Sequence, residues 1–310
     1  MPAMMRYALL LTASPAAPVI DEAAIAALRP LLASAQLSDQ RWLAAGTAWE
    51  GLVMMSPHSE QASLRARLAA ALAPRPIDIN LVPAEAARRR KKLLVADMES
   101  TIIEQECLDE LAARVGLRER ISEITSRAMR GELAFEAALT ERVALLKGVD
   151  AGILEDIYAS RVTLMPGAAT LVATMRRHGA HCALVSGGFD FFSERIAARL
   201  QFDSQQANRL EIVEGRLAGS VRQPILGREA KLASLIRLTR ELELDASETL
   251  AVGDGANDLS MLRAAGLGVA FRAKPIVAAA AAARIEHGDL TALLYLQGYA
   301  RHEFADGLPA

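Results

Sequence analysis

Three segments carry acidic, hydroxyl or amide side chains directly after an apolar run, and two of them also contain glycine. They read Asp-Met-Glu-Ser-Thr at 97–101, Ser-Gly-Gly at 186–188 and Gly-Asp-Gly-Ala-Asn-Asp at 253–258. An apolar run of this kind is typical of a buried parallel strand. In an open α/β sheet, ligands bind outside the carboxyl ends of the strands. The pattern therefore predicts that these sequence-distant segments meet in one crevice.

The first and third segments contain residue types that suit phosphate chemistry with a metal. Asp97 and Glu99 are two residues apart, so one carboxylate can attack while the other carries protons. Asp254, Asn257 and Asp258 lie on a tight turn and offer the hard oxygen ligands that Mg²⁺ prefers. Each segment alone could be an ordinary acidic or Gly-Asp turn. Their combination indicates catalysis.

The second segment and one lysine could hold an anion. Ser186 offers a hydroxyl, and Gly187 allows a close approach to backbone N–H groups. Lys231 could neutralise a phosphate oxygen as a compact point charge. An isolated lysine at a helix start is usually solvated, so its assignment depends on the other segments.

Several other hydrolase mechanisms do not fit the sequence. A cysteine phosphatase needs Arg six positions after its cysteine, but Gly188 follows Cys182 there and Ala113 follows Cys107. A serine-hydrolase elbow needs Gly where Leu184 stands. There is no Walker A lysine motif, and the five histidines form no metal-ligand pattern. The acidic loop also lacks the spacing of a calcium EF-hand.

Composition narrows the class of protein. A chain of 310 residues is long enough for two domains, and a net charge of −2 gives no general attraction to nucleic acid or membranes. The basic run at 88–92 has no interleaved aromatic residues, so we interpret it as a solvated linker. The longest apolar run, 276–283, is too short to span a bilayer. Two cysteines in apolar surroundings favour a reduced, cytoplasmic protein.

Residues 1–86 are expected to form a βαββαβ, ferredoxin-like domain. The strands are predicted at 7–12, at two places within 42–55 flanking a polar stretch at 46–51, and at 77–82; the helices are predicted at 21–35, capped by Asp21, and at 59–72. We favour a packing or oligomerisation role over amino-acid sensing, because such units serve many purposes.

Residues 87–92 are the expected linker, and residues 93–310 the expected catalytic unit. Strand and helix patterns alternate there, which predicts an α/β fold with a doubly wound parallel sheet. A helical block at about 103–162 follows the first strand as an insertion, and residues 211–221 suggest a hairpin around Gly215.

Together, residues 97–101, 186–188, Lys231 and 253–258 resemble the four motifs of the haloacid dehalogenase superfamily. Residues 104–110, 128–133 and 141–147 resemble its phosphoserine phosphatase family in particular. The resemblance implies a Rossmann-like core with a helical cap. It also implies Mg²⁺-dependent hydrolysis of a small molecule, O-phospho-L-serine, as the last step of serine biosynthesis.

The resemblance further implies a role for each matched residue. Asp97 would be the nucleophile that forms an aspartyl-phosphate. Mg²⁺ would be bound by Asp97, Asp254 and the backbone carbonyl of Glu99, with Asp258 supporting the metal site. The residues expected to contact substrate are Ser186, Gly187, Lys231 and Asn257 at the phosphoryl group, Glu106 at the ammonium, Arg142 at the carboxylate, and Met129 and Phe135 from the cap.

One departure from the family pattern leaves alternatives open. Glu99 stands where the family has Asp, which extends the proton-carrying carboxyl by one methylene. The alternatives are a phosphatase or phosphotransferase for another small phosphate ester, and a non-catalytic amino-acid sensor. The N-terminal unit resembles an ACT-like domain. The sequence leaves open a homodimer, serine binding and the preference between L and D substrates.

Overall fold

The computed structural model describes residues 4–55, 61–85, 89–129 and 132–307. The N-terminal unit has the predicted βαββαβ order. Its elements are β1 (Met5–Thr12), α1 (Glu22–Leu32), β2 (Ser38–Ala44), β3 (Ala48–Met55), α2 (Gln61–Leu72) and β4 (Asp78–Pro83). The strands form an antiparallel sheet in the order β2-β3-β1-β4. Asp21 caps α1 as predicted, because its carboxylate accepts the Ala24 N–H at 2.7 Å.

Both faces of β1 are buried, because successive side chains of a strand point to opposite faces of its sheet. Leu9 and Leu11 pack with the helices of the N-terminal unit, whereas Ala8 and Leu10 belong to the core cluster of the rest of the chain. The N-terminal sheet therefore lies between its own helices and the C-terminal unit.

The turn between β2 and β3 differs from the prediction. The polar stretch at 46–51 was expected to separate the strands, but β3 begins at Ala48 and includes Glu50. Cross-strand partners decide this: Ala48 pairs with Thr12, and Gly51 pairs with Leu9. Pairing with the buried strand β1 overrides the local polarity of the stretch.

The C-terminal unit begins with β5 (Leu93–Ala96). The chain then leaves the sheet for four cap helices, α3 (Cys107–Arg114), α4 (Arg118–Met129), α5 (Phe135–Ala144) and α6 (Ile153–Ser160). We expected helix from residue 103, but Ile103 forms a β-bridge with Leu164, and Met165 N–H donates to Ile102 at 2.9 Å. The two connections between sheet and cap are thus paired with each other, which delays the first helix to Cys107.

The remaining elements complete the Rossmann-like core. They are α7 (Ala168–Arg177), β6 (His181–Phe189), α8 (Asp190–Leu200), β7 (Ser204–Asn208), β8 (Leu210–Val213), β9 (Arg216–Val221), α9 (Arg228–Glu241), β10 (Thr249–Gly253), α10 (Leu259–Ala264), β11 (Leu267–Phe271), α11 (Pro275–Ala280), β12 (Ala283–Ile285) and α12 (Ala292–Leu296). Six parallel strands form one sheet in the order β12-β11-β10-β5-β6-β7, and β8 and β9 form the expected hairpin. The predicted fold class is confirmed.

The described part of the basic run is only partly solvated, because Arg89 and Lys91 are half-buried whereas Arg90 and Lys92 are exposed. This corrects in part its interpretation as a solvated linker. Arg89 forms an ion pair with Glu50, a side chain that is only 3% exposed. Arg90 pairs with Glu303 at 2.6 Å and lies over the Tyr299 ring at 4.1 Å. A buried carboxylate needs such a partner. The run is therefore more than a covalent linker, because its side chains form contacts that hold the two units together.

Within the four described stretches of the chain, no helix has the length and apolar character needed to cross a membrane.

Candidate active site

The three acidic positions predicted at strand ends converge. Asp97 follows β5, and Asp254 and Asp258 follow β10, the neighbouring strand of the sheet. One carboxylate oxygen from each of the three residues lies within 4.8 Å of the other two. The adjacency of β5 and β10 produces this cluster, since the carboxyl ends of parallel strands meet at one edge of the sheet.

Lys231 lies at the centre of this cluster. Its Nζ is 2.7 Å from Asp97 Oδ1 and 2.6 Å from Asp258 Oδ1, and its side chain is 2% exposed. Burial alone would lower the pKa of Lys231, but the charges of Asp258 and Asp97 outweigh it and raise the pKa. The lysine is held fully charged between two carboxylates, as a buried ammonium must be.

The carboxylates outnumber the lysine. Burial, followed by repulsion from Asp258, raises the pKa of Asp97 well above its ordinary value and that of Asp254 to about 6. Three carboxylates against one ammonium leave two negative charges, which a divalent cation with a preference for oxygen ligands would neutralise. The donor set therefore fits a divalent metal ion.

Asp258 differs from the other two carboxylates because both of its oxygens have protein partners. Oδ1 accepts from Lys231, and Oδ2 accepts the Gly255 N–H at 3.0 Å. This suits a residue that orients the acidic loop and the lysine. Asn257 lies in the same turn, next to Gly255.

The sequence predicts Ser186 and Gly187 after a strand, but the structure places both residues inside β6. The register between β6 and β7 is irregular between Val185 and Phe189, so the Ser-Gly-Gly stretch bulges out of the regular ladder. Ser186 Oγ accepts the Gly188 N–H at 2.9 Å and tightens the bulge. We call this distorted part of the strand, residues 186–188, the glycine turn.

The cap contacts the core at Gly187. A Cβ atom at Gly187 would lie 3.1 Å from Cζ of Phe135, the first residue of α5. The phenyl ring of Phe135 therefore packs against the backbone of Gly187. The side chain of Met129 lies outside the described part of the chain.

Glu99 packs between the cap and the glycine turn. Its Oε1 accepts the Cys107 N–H at 2.8 Å, and its Oε2 lies 2.7 Å from the position that a Cβ atom at Gly188 would occupy. Burial, and then the charge of Glu106, raises the pKa of Glu99 to about 7. A carboxyl with this pKa can donate and accept protons near neutral pH.

Glu106 and Arg142, two oppositely charged residues of the cap region, lie near Glu99. Ser100 Oγ donates to Glu106 Oε1 at 2.7 Å. Burial lowers the pKa of Arg142, while the charges of Asp109, Glu99 and Glu106 act to raise it. Arg142 and Glu106 therefore lie close enough to interact electrostatically with each other and with Glu99.

The sequence did not reveal how Glu99 is held. Its carboxylate accepts the backbone N–H of Cys107, a group that nearly every residue carries, and it also interacts with the Cys107 thiol. Ser100 also contributes, through its backbone conformation. Its φ of +52°, unusual for a serine, turns the chain so that its hydroxyl meets Glu106.

With this geometry in place, the comparisons with known proteins define the class. Residues 94–263, more than half of the chain, match the haloacid dehalogenase-like hydrolase family. The chain belongs to this family.

Individual relatives narrow the class further. The chain is 45% identical over 244 residues to a phosphoserine phosphatase of Streptomyces coelicolor; the match covers 79% of this chain but only 59% of that protein. In fold, it is similar to a HAD-family hydrolase of Salmonella enterica serovar Typhi, with a TM-score of 0.81, 30% identity, and coverage of 94% of this chain and 98% of the other. A structure described as a phospho-aspartyl intermediate analogue of phosphoserine phosphatase matches with a TM-score of 0.62 and 39% identity, covering 66% of this chain and 98% of the other.

Proposed function

We propose that this protein is a Mg²⁺-dependent phosphoserine phosphatase that hydrolyses O-phospho-L-serine to serine and phosphate, the last step of serine biosynthesis. The observation that carries the proposal is the convergence of Asp97, Lys231 and Asp254 at one sheet edge, beside the glycine turn and beneath the cap. Relatives that are described as phosphoserine phosphatases support phosphoserine as the substrate.

Asp97 is the proposed nucleophile, with a carboxylate oxygen forming the bond to phosphorus. Lys231 holds this carboxylate in place at 2.7 Å and offsets charge on the phosphoryl oxygens. Ser186, the backbone of Gly187 and Asn257 would complete the anion site. Bound Mg²⁺, held by Asp97, Asp254 and the Glu99 carbonyl with help from Asp258, would supply positive charge for the transferring phosphoryl group.

Glu99 is the proposed proton carrier. In the first step its carboxyl gives a proton to the leaving serine oxygen as the bond from that oxygen to phosphorus breaks. In the second step the carboxylate takes a proton from water, which attacks phosphorus and releases Asp97. A pKa of about 7 suits both directions of transfer. The longer Glu side chain is anchored by the Cys107 N–H, which supports retained activity despite the departure from the family's Asp.

Glu106 and Arg142 are the proposed contacts to the amino-acid end of the substrate. A zwitterion presents an ammonium and a carboxylate, and one acid and one arginine match that charge pattern. Phe135, with Met129 as a further proposed cap contact, would exclude water above the phosphate. A sugar phosphate would use neither charge, so a substrate panel separates this proposal from a phosphatase for other small esters.

Other parts of the proposal concern the whole protein. We propose an ACT-like unit at 1–86, a connecting segment at 87–92 and a phosphatase unit at 93–310 with its cap at about 103–162. The match of the Salmonella hydrolase to 94% of the chain supports an N-terminal unit of this kind. A cytoplasmic location and a homodimer stay predictions.

The test is phosphate release from L-phosphoserine, D-phosphoserine and two sugar phosphates, with Mg²⁺ and with a chelator. Asp97→Asn serves as the control, because it keeps the shape of the side chain but removes the nucleophile. We expect Mg²⁺-dependent release from phosphoserine and a loss of at least about 10⁴-fold in Asp97→Asn. Equal rates on sugar phosphates would refute the substrate, and serine binding without any phosphate release would favour a sensor.

A further inference from the structure

Asn208 links two backbone segments of the candidate site, and the motifs above do not include it. It is the last residue of β7 and its side chain is 1% exposed. Its Nδ2 donates to the carbonyl of Gly187 at 2.8 Å and to the carbonyl of Leu226 at 3.2 Å. Its Oδ1 accepts the Leu226 N–H at 2.7 Å. One amide thus satisfies three backbone groups.

The Gly187 carbonyl needs this partner because of the bulge. Between Val185 and Phe189 the register of β6 with β7 is irregular, so the regular ladder is interrupted where Gly187 lies. The side chain of Asn208 substitutes for the interrupted ladder and fixes the direction of the Gly187 peptide. This peptide also carries the Gly188 N–H, which donates to Ser186 Oγ at 2.9 Å, so fixing it orients the Gly187 backbone and the Ser186 hydroxyl, where the phosphoryl group is proposed to bind.

The Leu226 contacts hold the second segment. Gly227 directly precedes α9, and Lys231 lies in the first turns of that helix. A clamp on both the N–H and the carbonyl of Leu226 sets where α9 starts. It therefore affects where the Lys231 ammonium lies relative to the glycine turn.

The same two segments support the cap. A Cβ atom at Gly187 would lie 3.1 Å from the Phe135 ring, and one at Gly227 would lie 3.4 Å from it. The ring packs over both backbones that Asn208 joins. Any change in their separation alters the surface that closes over the substrate.

We propose that Asn208 is a positioning residue for phosphate binding, which holds the Gly187 peptide and the start of the Lys231 helix at a fixed separation. The inference rests on the proposed function in one respect, namely that the glycine turn and Lys231 receive the phosphoryl group. Asn208 itself acts through the backbone and contacts no substrate.

The test compares Asn208→Ala and the milder Asn208→Ser with Asn80→Ala. Asn80 is a matched control, because it is also a fully buried asparagine of an edge strand, and it bonds the carbonyl and the N–H of Arg284, each at 2.9 Å. Asn80→Ala removes comparable hydrogen bonds, but these bonds link β4 to β12 at the junction of the two units and do not involve the glycine turn.

Two measurements use inorganic phosphate as the probe: its inhibition constant and the rise in Tm that it produces at saturating Mg²⁺. We expect phosphate to bind about 10-fold or more weakly in Asn208→Ala and by a smaller factor in Asn208→Ser, whose one hydroxyl can replace only part of the clamp. Asn80→Ala should lower the Tm without changing the phosphate constant.

Unchanged phosphate binding in the Asn208 variants overturns the inference while leaving the proposed function intact. An equal loss in Asn80→Ala also overturns it, because the effect would then be general destabilisation. Absence of phosphate binding to the wild type overturns both. Asn208→Ser retains more of the native contacts, so it gives the answer if Asn208→Ala does not fold.

Discussion

Replacing Gly188 by alanine should separate the proton-transfer role of Glu99 from phosphate binding. An alanine Cβ would lie 2.7 Å from Glu99 Oε2 and 2.9 Å from its Cδ. Ordinary van der Waals contact begins at 3.4 Å, so the carboxyl must retreat by about 0.7 Å. The backbone of Gly188 has no positive φ that alanine would strain.

The side chain of Glu99 gives way more easily than the strand, because the clashing atoms are at its flexible end. Its retreat stretches or breaks the 2.8 Å hydrogen bond from Cys107 N–H, which costs at most about 1–3 kcal/mol of stability. The catalytic effect should be larger. A displacement approaching 1 Å of a group that must align with the leaving oxygen lowers the rate by about 10²-fold.

The assay measures kcat on two substrates. The serine alkoxide is a poor leaving group and needs a proton, whereas the nitrophenolate of p-nitrophenyl phosphate leaves without one. We expect Gly188→Ala to lower kcat on L-phosphoserine by about 10²-fold and on the aryl ester by about 3-fold or less. Glu99→Gln should reproduce the same selectivity.

Gly152→Ala is the matched control, because its Cβ would lie 2.9 Å from Oδ1 of Asp150, another carboxylate, at the start of α6. It should leave both rates unchanged. Full activity of Gly188→Ala on L-phosphoserine would contradict the role of Glu99. Equal losses on both substrates would mean that the added methyl disturbs the phosphate site instead.

Two further predictions concern stability. Asp78→Ala should lower the free energy of unfolding by about 3 kcal/mol, because its buried carboxylate accepts backbone N–H groups of Glu286 and Gly288, each at 2.8 Å, across the junction of the units. Urea unfolding measures this loss. A loss no greater than that of Asp21→Ala, which removes the exposed N-cap residue of α1, would contradict the prediction. Burial lowers the pKa of Lys91 to about 8 from 10.5, so the unfolded chain binds more protons between these values and Lys91 makes stability rise with pH there. Lys91→Met should show a smaller rise across pH 8–10.5 in the same assay, and an unchanged pH dependence would refute the reasoning.

Much of the fold could be predicted because local patterns agree with it. The apolar run at β5, the alternation of strands with helices, and the Asp21 cap each depend on neighbours within a few residues. The prediction was wrong where pairing decides the element. The stretch at 46–51, interpreted as a polar connection between two strands, is mostly part of β3 because β1 lies beside it.

The candidate site divides in the same way. Asp97, Ser186 and Asp254 are recognisable because residue type and position after an apolar run are properties of the sequence. The support for Glu99 is not, because the hydrogen bond from the Cys107 backbone N–H and the space left by the missing side chain of Gly188 depend on how the chain packs. Backbone groups are the same at every position, so residue type cannot identify the one that binds.

The sequence alone determined which chemical groups are available and which strand ends carry them. The tertiary structure decided how those groups act on one another: that Lys231 lies between Asp97 and Asp258, that burial brings the pKa of Glu99 to about 7, and that the basic run joins the two units. The physical reason is that distance and desolvation set the strength of a charge interaction, and both are known only once the chain has packed.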